Sequence, residues 1–228
     1  KRTAPASKTT ENNTDISMPR TATSNACPGR YDDWDDQHEA ACQSELSALR
    51  AAWREAGDGL EIGVRTGRFA VPLGIKCGVD PSPEMQERAS DRGIAVKDGV
   101  AEELPYPDER FDAVLMTTTL CYLDDPEAAF RGALRLLRPG GAFVLGFIHR
   151  DGPLGRQYEE RKGENLFCAP ARFHTARDVI RLLEATGFED LRAWQTLFSD
   201  PEAMAEPDPV REGHGEGGFV VLPGVGRT

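Results

Sequence analysis

The strongest constraint on this chain is an alternation: short apolar runs, each closed by a turn and followed by residues at helical spacing. Runs at 60–64, 75–80, 94–97, 111–117 and 142–148 read as strands, with helical patterns at about 83–92 and 126–137 among them. Strands joined through helices give a mostly parallel sheet covered on both faces. Two later runs, 191–198 and 218–222, are separated by a long loop and predict an antiparallel terminal hairpin at one edge. The expected fold is therefore α/β: a three-layer α/β/α, doubly wound, mostly parallel seven-stranded sheet.

Local signals agree. Ala41, Leu46, Leu49 and Trp53 share one face of a helix that precedes the first strand. Ser82 is placed as a helix cap, with Pro83 at the first helical position. Arg138-Pro139-Gly140-Gly141 is expected to end the 126–137 helix and turn into the fifth strand. Thr175 caps a helix over 176–186 that Gly187 stops. Pro72 limits any helix after the first strand to a short turn.

The length of 228 residues favours one domain. Residues 1–27, rich in Thr, Ser, Asn, Lys and Pro, are expected to be a disordered tail or a vector-derived remnant, with Met18 as a candidate native start. Residues 28–228 form the expected domain, with 28–56 as an N-terminal helical cover and the polar 149–174 segment as a substrate loop or lid. The net charge of −11 becomes −13 when Lys1, Arg2, Lys8, Arg20, Glu11 and Asp15 are set aside. That balance argues against nucleic-acid partners and favours a neutral or cationic small acceptor. No run approaches the roughly 20 apolar residues of a membrane span. Cys27, Cys42, Cys77, Cys121 and Cys168 show no metal-ligand spacing and read as reduced thiols in a cytoplasmic protein, a monomer or homodimer.

The chemistry concentrates where the first strand ends, in Glu61-Ile62-Gly63-Val64-Arg65-Thr66-Gly67. Gly63 lets the turn tighten, and Gly67 is expected to let backbone approach a ligand. Asp80, 17 residues beyond Gly63, closes the second strand and can accept both hydroxyls of a ribose. The spacing is not that of a dinucleotide site, and Glu61 would repel phosphate but suit an amino-bearing cation.

From about Tyr31 to Gly224 the chain resembles the class I S-adenosylmethionine-dependent methyltransferases of small, single-domain type (methyltransferase type 11-like). Four blocks carry the resemblance: Glu61-Ile62-Gly63 with Gly67; Val79-Asp80-Pro81-Ser82; Gly99-Val100-Ala101-Glu102-Glu103-Leu104-Pro105-Tyr106 with Phe111-Asp112; and Leu137-Arg138-Pro139-Gly140-Gly141. It implies S-adenosylmethionine as cofactor and S-adenosylhomocysteine as product. It places Glu61, Gly63 and Gly67 at the methionine end, Asp80 on the ribose, Ala101 and Glu102 by the adenine, and Thr117 beside the sulfur, with Arg65, Pro81 and Ser82 also among the cofactor-binding positions. Two positions depart from the pattern. Arg65 stands where the family has its central glycine; it either points outward, contacts the cofactor carboxylate or blocks the pocket. Val100 replaces the common aspartate that meets the adenine amino group.

Methyl transfer from a sulfonium is a direct displacement that needs alignment and exclusion of water more than a strong base. Tyr122 and His149, beyond the fourth and fifth strands, are the catalytic candidates; the plain alternative for His149 is a loop histidine satisfied locally. Tyr31, Trp34, Arg150 and Tyr158 are candidate substrate contacts, while His174 is expected to be a capping or surface residue. The leading expectation is transfer to an O, N or S nucleophile of a small molecule. Alternatives are a thiol or arsenical methyltransferase using Cys42, Cys121 or Cys168, and a degenerate cofactor-binding or interaction module. A dinucleotide oxidoreductase ranks last.

Overall fold

Residues 36–53, 57–161 and 170–226 are described by a computed structural model of the chain. Tyr31, Trp34, Cys27 and Cys168 lie outside them, as do the 1–27 segment and the middle of the expected lid. Helix α1 (Glu39–Ala52) buries Ala41, Cys42, Leu46, Ala48, Leu49 and Ala52 along one stripe, as the spacing requires.

Five strands follow: β1 (Gly59–Ile62), β2 (Cys77–Val79), β3 (Ala95–Lys97), β4 (Phe111–Thr117) and β5 (Leu137–Ile148). All pair in parallel, in the order β3-β2-β1-β4-β5. The helices are α2 (Pro83–Asp91), α3 (Pro126–Leu136), α4 (Pro153–Glu160) and α5 (Ala176–Thr186). Four more strands complete the sheet: β6 (Phe188–Glu189), β7 (Trp194–Thr196), β8 (Arg211–Glu212) and β9 (Phe219–Gly226).

The antiparallel strands gather at one side, where the two late runs pair as expected, β7 with β9. Strand β9 inserts between β5 and β7, pairing Ala142 with Val225 through Ile148 with Phe219. Burial explains this: Phe219, Val220, Val221 and Leu222 are all fully buried, so both faces of β9 need cover, and an edge position offers less. Beyond the seven expected strands, β6 and β8 are two-residue additions.

The pleat divides the core. Val114, Met116, Phe143 and Leu145 face one cluster, with Phe130 of α3 and Leu183 of α5. Leu115 and Val144 face the other, with Leu49 of α1 and Ala89 of α2. Phe143 stacks on Phe188 at 5.1 Å and meets Phe130 edge-on at 5.8 Å.

Helix ends follow side-chain chemistry. Asp125 caps α3 by accepting the Ala128 N–H at 2.9 Å, and Thr175 caps α5 by accepting the Asp178 N–H at 3.1 Å. Gly187, at φ 102°, ends α5. Ser82 stands at the N-cap of α2, yet its hydroxyl caps nothing. The expected turn at 138–141 is instead the start of β5, carried as a register break opposite Phe111 and Ala113. At this amino edge Arg138 bridges Asp58 (3.1 Å) and Asp112 (2.7 Å), and Arg110 pairs with Asp58 at 2.7 Å. Among the described residues no helix is long and apolar enough to cross a membrane.

Candidate functional site

The opposite, carboxyl edge of the sheet carries the site. Just past β1, Gly63 turns the chain at φ 69° and donates its N–H to the Val79 carbonyl at 2.8 Å. A Cβ there would lie 2.2 Å from Thr119 Oγ1, so only glycine fits. Gly67 answers a different need: its missing Cβ leaves room for Ile94, whose Cδ1 would otherwise lie 2.4 Å away. On the side where a Cβ would stand, the close neighbour of Gly67 is thus the Ile94 side chain.

Between the glycines, Arg65 adopts φ 48°, a left-handed conformation costly for a side-chain-bearing residue. Its N–H is anchored on Asp80 Oδ2 at 2.8 Å, and its guanidinium donates to the Thr118 hydroxyl. The side chain therefore runs along the end of β4 rather than outward. Thr118 is itself left-handed, at φ 49°.

Asp80 is buried and takes a second backbone bond, from the Ser82 N–H to Oδ1 at 2.9 Å. One carboxylate thus ties together the turns after β1 and β2. Burial raises its pKa, while the N–H groups of Ser82 and Arg65 and the Arg65 charge oppose the rise. Glu61, also buried, is pushed up to about 8, chiefly by burial; the Arg65 charge and a backbone hydrogen bond from Ala70 pull down, and Asp80 pushes up.

Three buried side-chain polar atoms have no hydrogen-bond partner among the described residues: Glu61 Oε2, Ser82 Oγ and Thr117 Oγ1. Each sits at the carboxyl end of β1, β2 or β4, and each lost bond costs roughly 1–3 kcal/mol in a fold that rarely tolerates such loss. A ligand with an ammonium and hydroxyl groups would satisfy them, and a buried acidic pair suits one bearing positive charge. Pro81 is half-buried between Asp80 and Ser82, and Ala101 is buried farther along this edge. Glu102 is committed locally: its Oε1 accepts the N–H groups of Asp124 at 3.0 Å and Asp125 at 3.4 Å.

The catalytic candidates separate. The His149 ring is buried, and its Nδ1 accepts the Ala176 N–H at 3.2 Å, which holds the first turn of α5. Burial depresses its pKa, so the ring stays neutral in that task. Tyr122 is half-buried against Ala171 and Phe173, and Tyr158 lies 5.8 Å from the Phe173 ring. Arg150 pairs with Asp151 at 3.2 Å on the surface. Beside Thr118 a small recess opens, lined by Leu120, Cys121, Phe147, Phe173 and His174 among others. His174, expected as a capping or surface residue, is half-buried, and a parallel bridge puts it next to His149; no pattern in the sequence links the two.

A family model described as "Methyltransferase domain" matches residues 60–145, from β1 into β5. A solved structure from Thermotoga maritima, described as an S-adenosylmethionine-dependent methyltransferase and possible histamine N-methyltransferase, shares 44% identity with a TM-score of 0.88, over 90% of this chain and 99% of that one. The chain belongs to the class I S-adenosylmethionine-dependent methyltransferases. An uncharacterized protein of Methanocaldococcus jannaschii is 43% identical over 84% of this methyltransferase and 93% of its own length. A phosphoethanolamine N-methyltransferase of Haemonchus contortus, solved with S-adenosylhomocysteine, shares only the fold, at 16% identity and TM-score 0.59 over 82% of this chain and 53% of that one. The methyltransferase's cofactor is S-adenosylmethionine.

Proposed function

We propose that this methyltransferase transfers a methyl group to a small-molecule acceptor, with the cofactor lying across the carboxyl ends of β1, β2 and β4. The unpartnered trio of Glu61 Oε2, Ser82 Oγ and Thr117 Oγ1 carries the reading. When bound, the cofactor supplies an electrophilic methyl group on a sulfonium. Glu61 receives the α-ammonium. Asp80, already fixed by two backbone N–H groups, keeps lone pairs for ribose hydroxyls. Ser82 and Thr117 close the remaining bonds, and Ala101 borders the adenine. Arg65 takes the carboxylate, exchanging the Thr118 hydroxyl for a charged partner. Gly63 holds the turn open for this approach, Gly67 packs it in place, and Pro81 stiffens the ribose loop. The acceptor enters from the recess beyond Thr118, near Tyr122 and Tyr158.

Calorimetry with S-adenosylhomocysteine tests the reading. Binding that Asp80→Asn and Glu61→Gln each weaken is expected; no heat and no thermal shift at millimolar ligand overturns it. A second reading, transfer to a thiol or arsenical, draws on Cys121, which lines the recess and donates to the Thr118 carbonyl at 3.6 Å. Cys42 is buried in α1 and is not among the residues that line the recess. Turnover of arsenite or a thiol that is lost in Cys121→Ser would favour it; turnover unchanged in that variant rules it out.

A further inference from the structure

Arg65 at φ 48° holds a backbone conformation that glycine would adopt without strain, so its side chain must return something for that cost. Charged groups converge on it. Its N–H is fixed on Asp80 Oδ2 at 2.8 Å, and its positive charge acts on the buried carboxyl groups of both Glu61 and Asp80. Its guanidinium reaches past them to the Thr118 hydroxyl. Both Arg65 and Thr118 are half-buried.

Thr118 is strained in its turn, because a β-branched residue at φ 49° is an outlier. Its backbone is held from two sides. The N–H donates to the Gly146 carbonyl at 2.8 Å, and the carbonyl accepts the Cys121 thiol at 3.6 Å. The hydroxyl is thereby set in place as a neutral partner for the guanidinium. A carboxylate would be the stronger partner, since it bonds two N–H groups at once and carries the opposite charge. Beside this arginine, Glu61 Oε2 has no hydrogen-bond partner among the described residues. An ammonium and a carboxylate on one carbon satisfy both groups together. A lone anion would also face two carboxyl groups, and a lone cation would face the arginine.

We propose that Arg65 selects a methyl donor that keeps its amino-acid carboxylate, and that the Thr118 hydroxyl competes with that carboxylate for the guanidinium. This rests on the methyl-transfer reading above and deepens it. Thr118 keeps the guanidinium hydrogen-bonded in the free protein, and the ligand must displace it, so part of the arginine's attraction is spent before binding begins. A ligand without the carboxylate leaves the Arg65–Thr118 bond as it stands and draws nothing from it.

Calorimetry tests this with S-adenosylhomocysteine, its decarboxylated analogue, in which an aminopropyl chain replaces the amino-acid chain, and methylthioadenosine, which lacks both charged groups. The wild type is expected to bind S-adenosylhomocysteine roughly tenfold or more tighter than the decarboxylated analogue, the size of one charge-assisted bond, with methylthioadenosine weaker still. Arg65→Gly removes the gap between the first two by weakening S-adenosylhomocysteine alone, and it melts no lower than the wild type because glycine is unstrained at that φ. Thr118→Val keeps the branched shape and deletes the competing hydroxyl. It should bind S-adenosylhomocysteine roughly two- to tenfold tighter, an effect that vanishes when Arg65→Gly is added, while Thr118→Ser binds as the wild type does. Equal wild-type affinity for S-adenosylhomocysteine and its decarboxylated analogue overturns the assignment. So does Arg65→Gly with a lowered melting temperature and the preference kept, the mark of a purely structural arginine. Weaker S-adenosylhomocysteine binding in Thr118→Val than in Thr118→Ser overturns the competition. Failure of the wild type to bind S-adenosylhomocysteine at all instead removes the methyl-transfer reading, and the proposal with it.

Discussion

Replacing Glu61 with glutamine separates the stability cost of this site from its binding function. Burial moves the Glu61 carboxyl from 4.5 to about 8. At about 1.4 kcal/mol per pH unit, ionising it inside the free fold costs up to about 5 kcal/mol. The sign follows from proton counting. Between these two values the folded chain holds the proton and the unfolded chain has lost it, so stability falls as pH rises through that window. Glutamine is neutral throughout and can still accept the Ala70 hydrogen bond. The unfolding free energies of wild type and Glu61→Gln, taken from denaturant titrations at pH 5 to 9, should nearly coincide at the acidic end. They should diverge with rising pH, the variant becoming more stable by up to several kcal/mol above pH 8. Ligand binding completes the test. An ammonium facing Glu61 draws off its proton, so the heat of S-adenosylhomocysteine binding at pH 7 should vary with buffer ionisation enthalpy in the wild type and not in Glu61→Gln. A pH-independent difference between the two proteins, or a variant less stable at pH 9, would refute the reasoning.

Other perturbations follow from the same geometry. Asp80→Asn keeps one acceptor oxygen for two backbone donors; it should cost roughly 1–3 kcal/mol in denaturant unfolding and weaken S-adenosylhomocysteine binding in calorimetry. Gly63→Ala must place a Cβ at φ 69° against Thr119 Oγ1, and a loss of roughly 1–3 kcal/mol is expected by thermal melting. His149→Leu leaves the Ala176 N–H unpaired; it should lower stability by roughly 1–3 kcal/mol, with cofactor affinity unchanged in calorimetry. Phe130→Ala opens the aromatic cluster beneath α3 and should cost roughly 3–5 kcal/mol in the same melts.

The parallel half of the fold was legible because its signals are local. Apolar runs, a glycine turn and an acidic residue at a strand end suffice to put Glu61, Asp80, Ser82 and Thr117 at one edge. What the sequence leaves open is long-range. Placing β9 between β5 and β7 depends on which strand needs cover on both faces, and a run of apolar residues reads alike at an edge or inside. The histidines meet the same limit. His149 and His174 come together through a bridge between distant segments, and which one meets a helix N–H is decided by the packing of α5. Gly67 shows a third limit: its glycine signal was real, but the close neighbour it accommodates is the Ile94 side chain. Arg65 marked itself as unusual in sequence, while its direction along β4 required the position of Thr118.

The insertion of β9 also sets an order of assembly. Residues 142–148 of β5 meet partners at 219–225, so until β9 is made the outer edge of β5 is bare and β7 pairs with β8 alone. An apolar strand with open hydrogen-bonding groups is a template for a second chain. The cofactor cradle draws on β1, β2 and β4, all made earlier, so the half of the molecule that binds can take shape before the half that prevents sticking. A nascent or truncated chain lacking Phe219 to Leu222 would be a fold with its working end formed and its flank exposed to self-association.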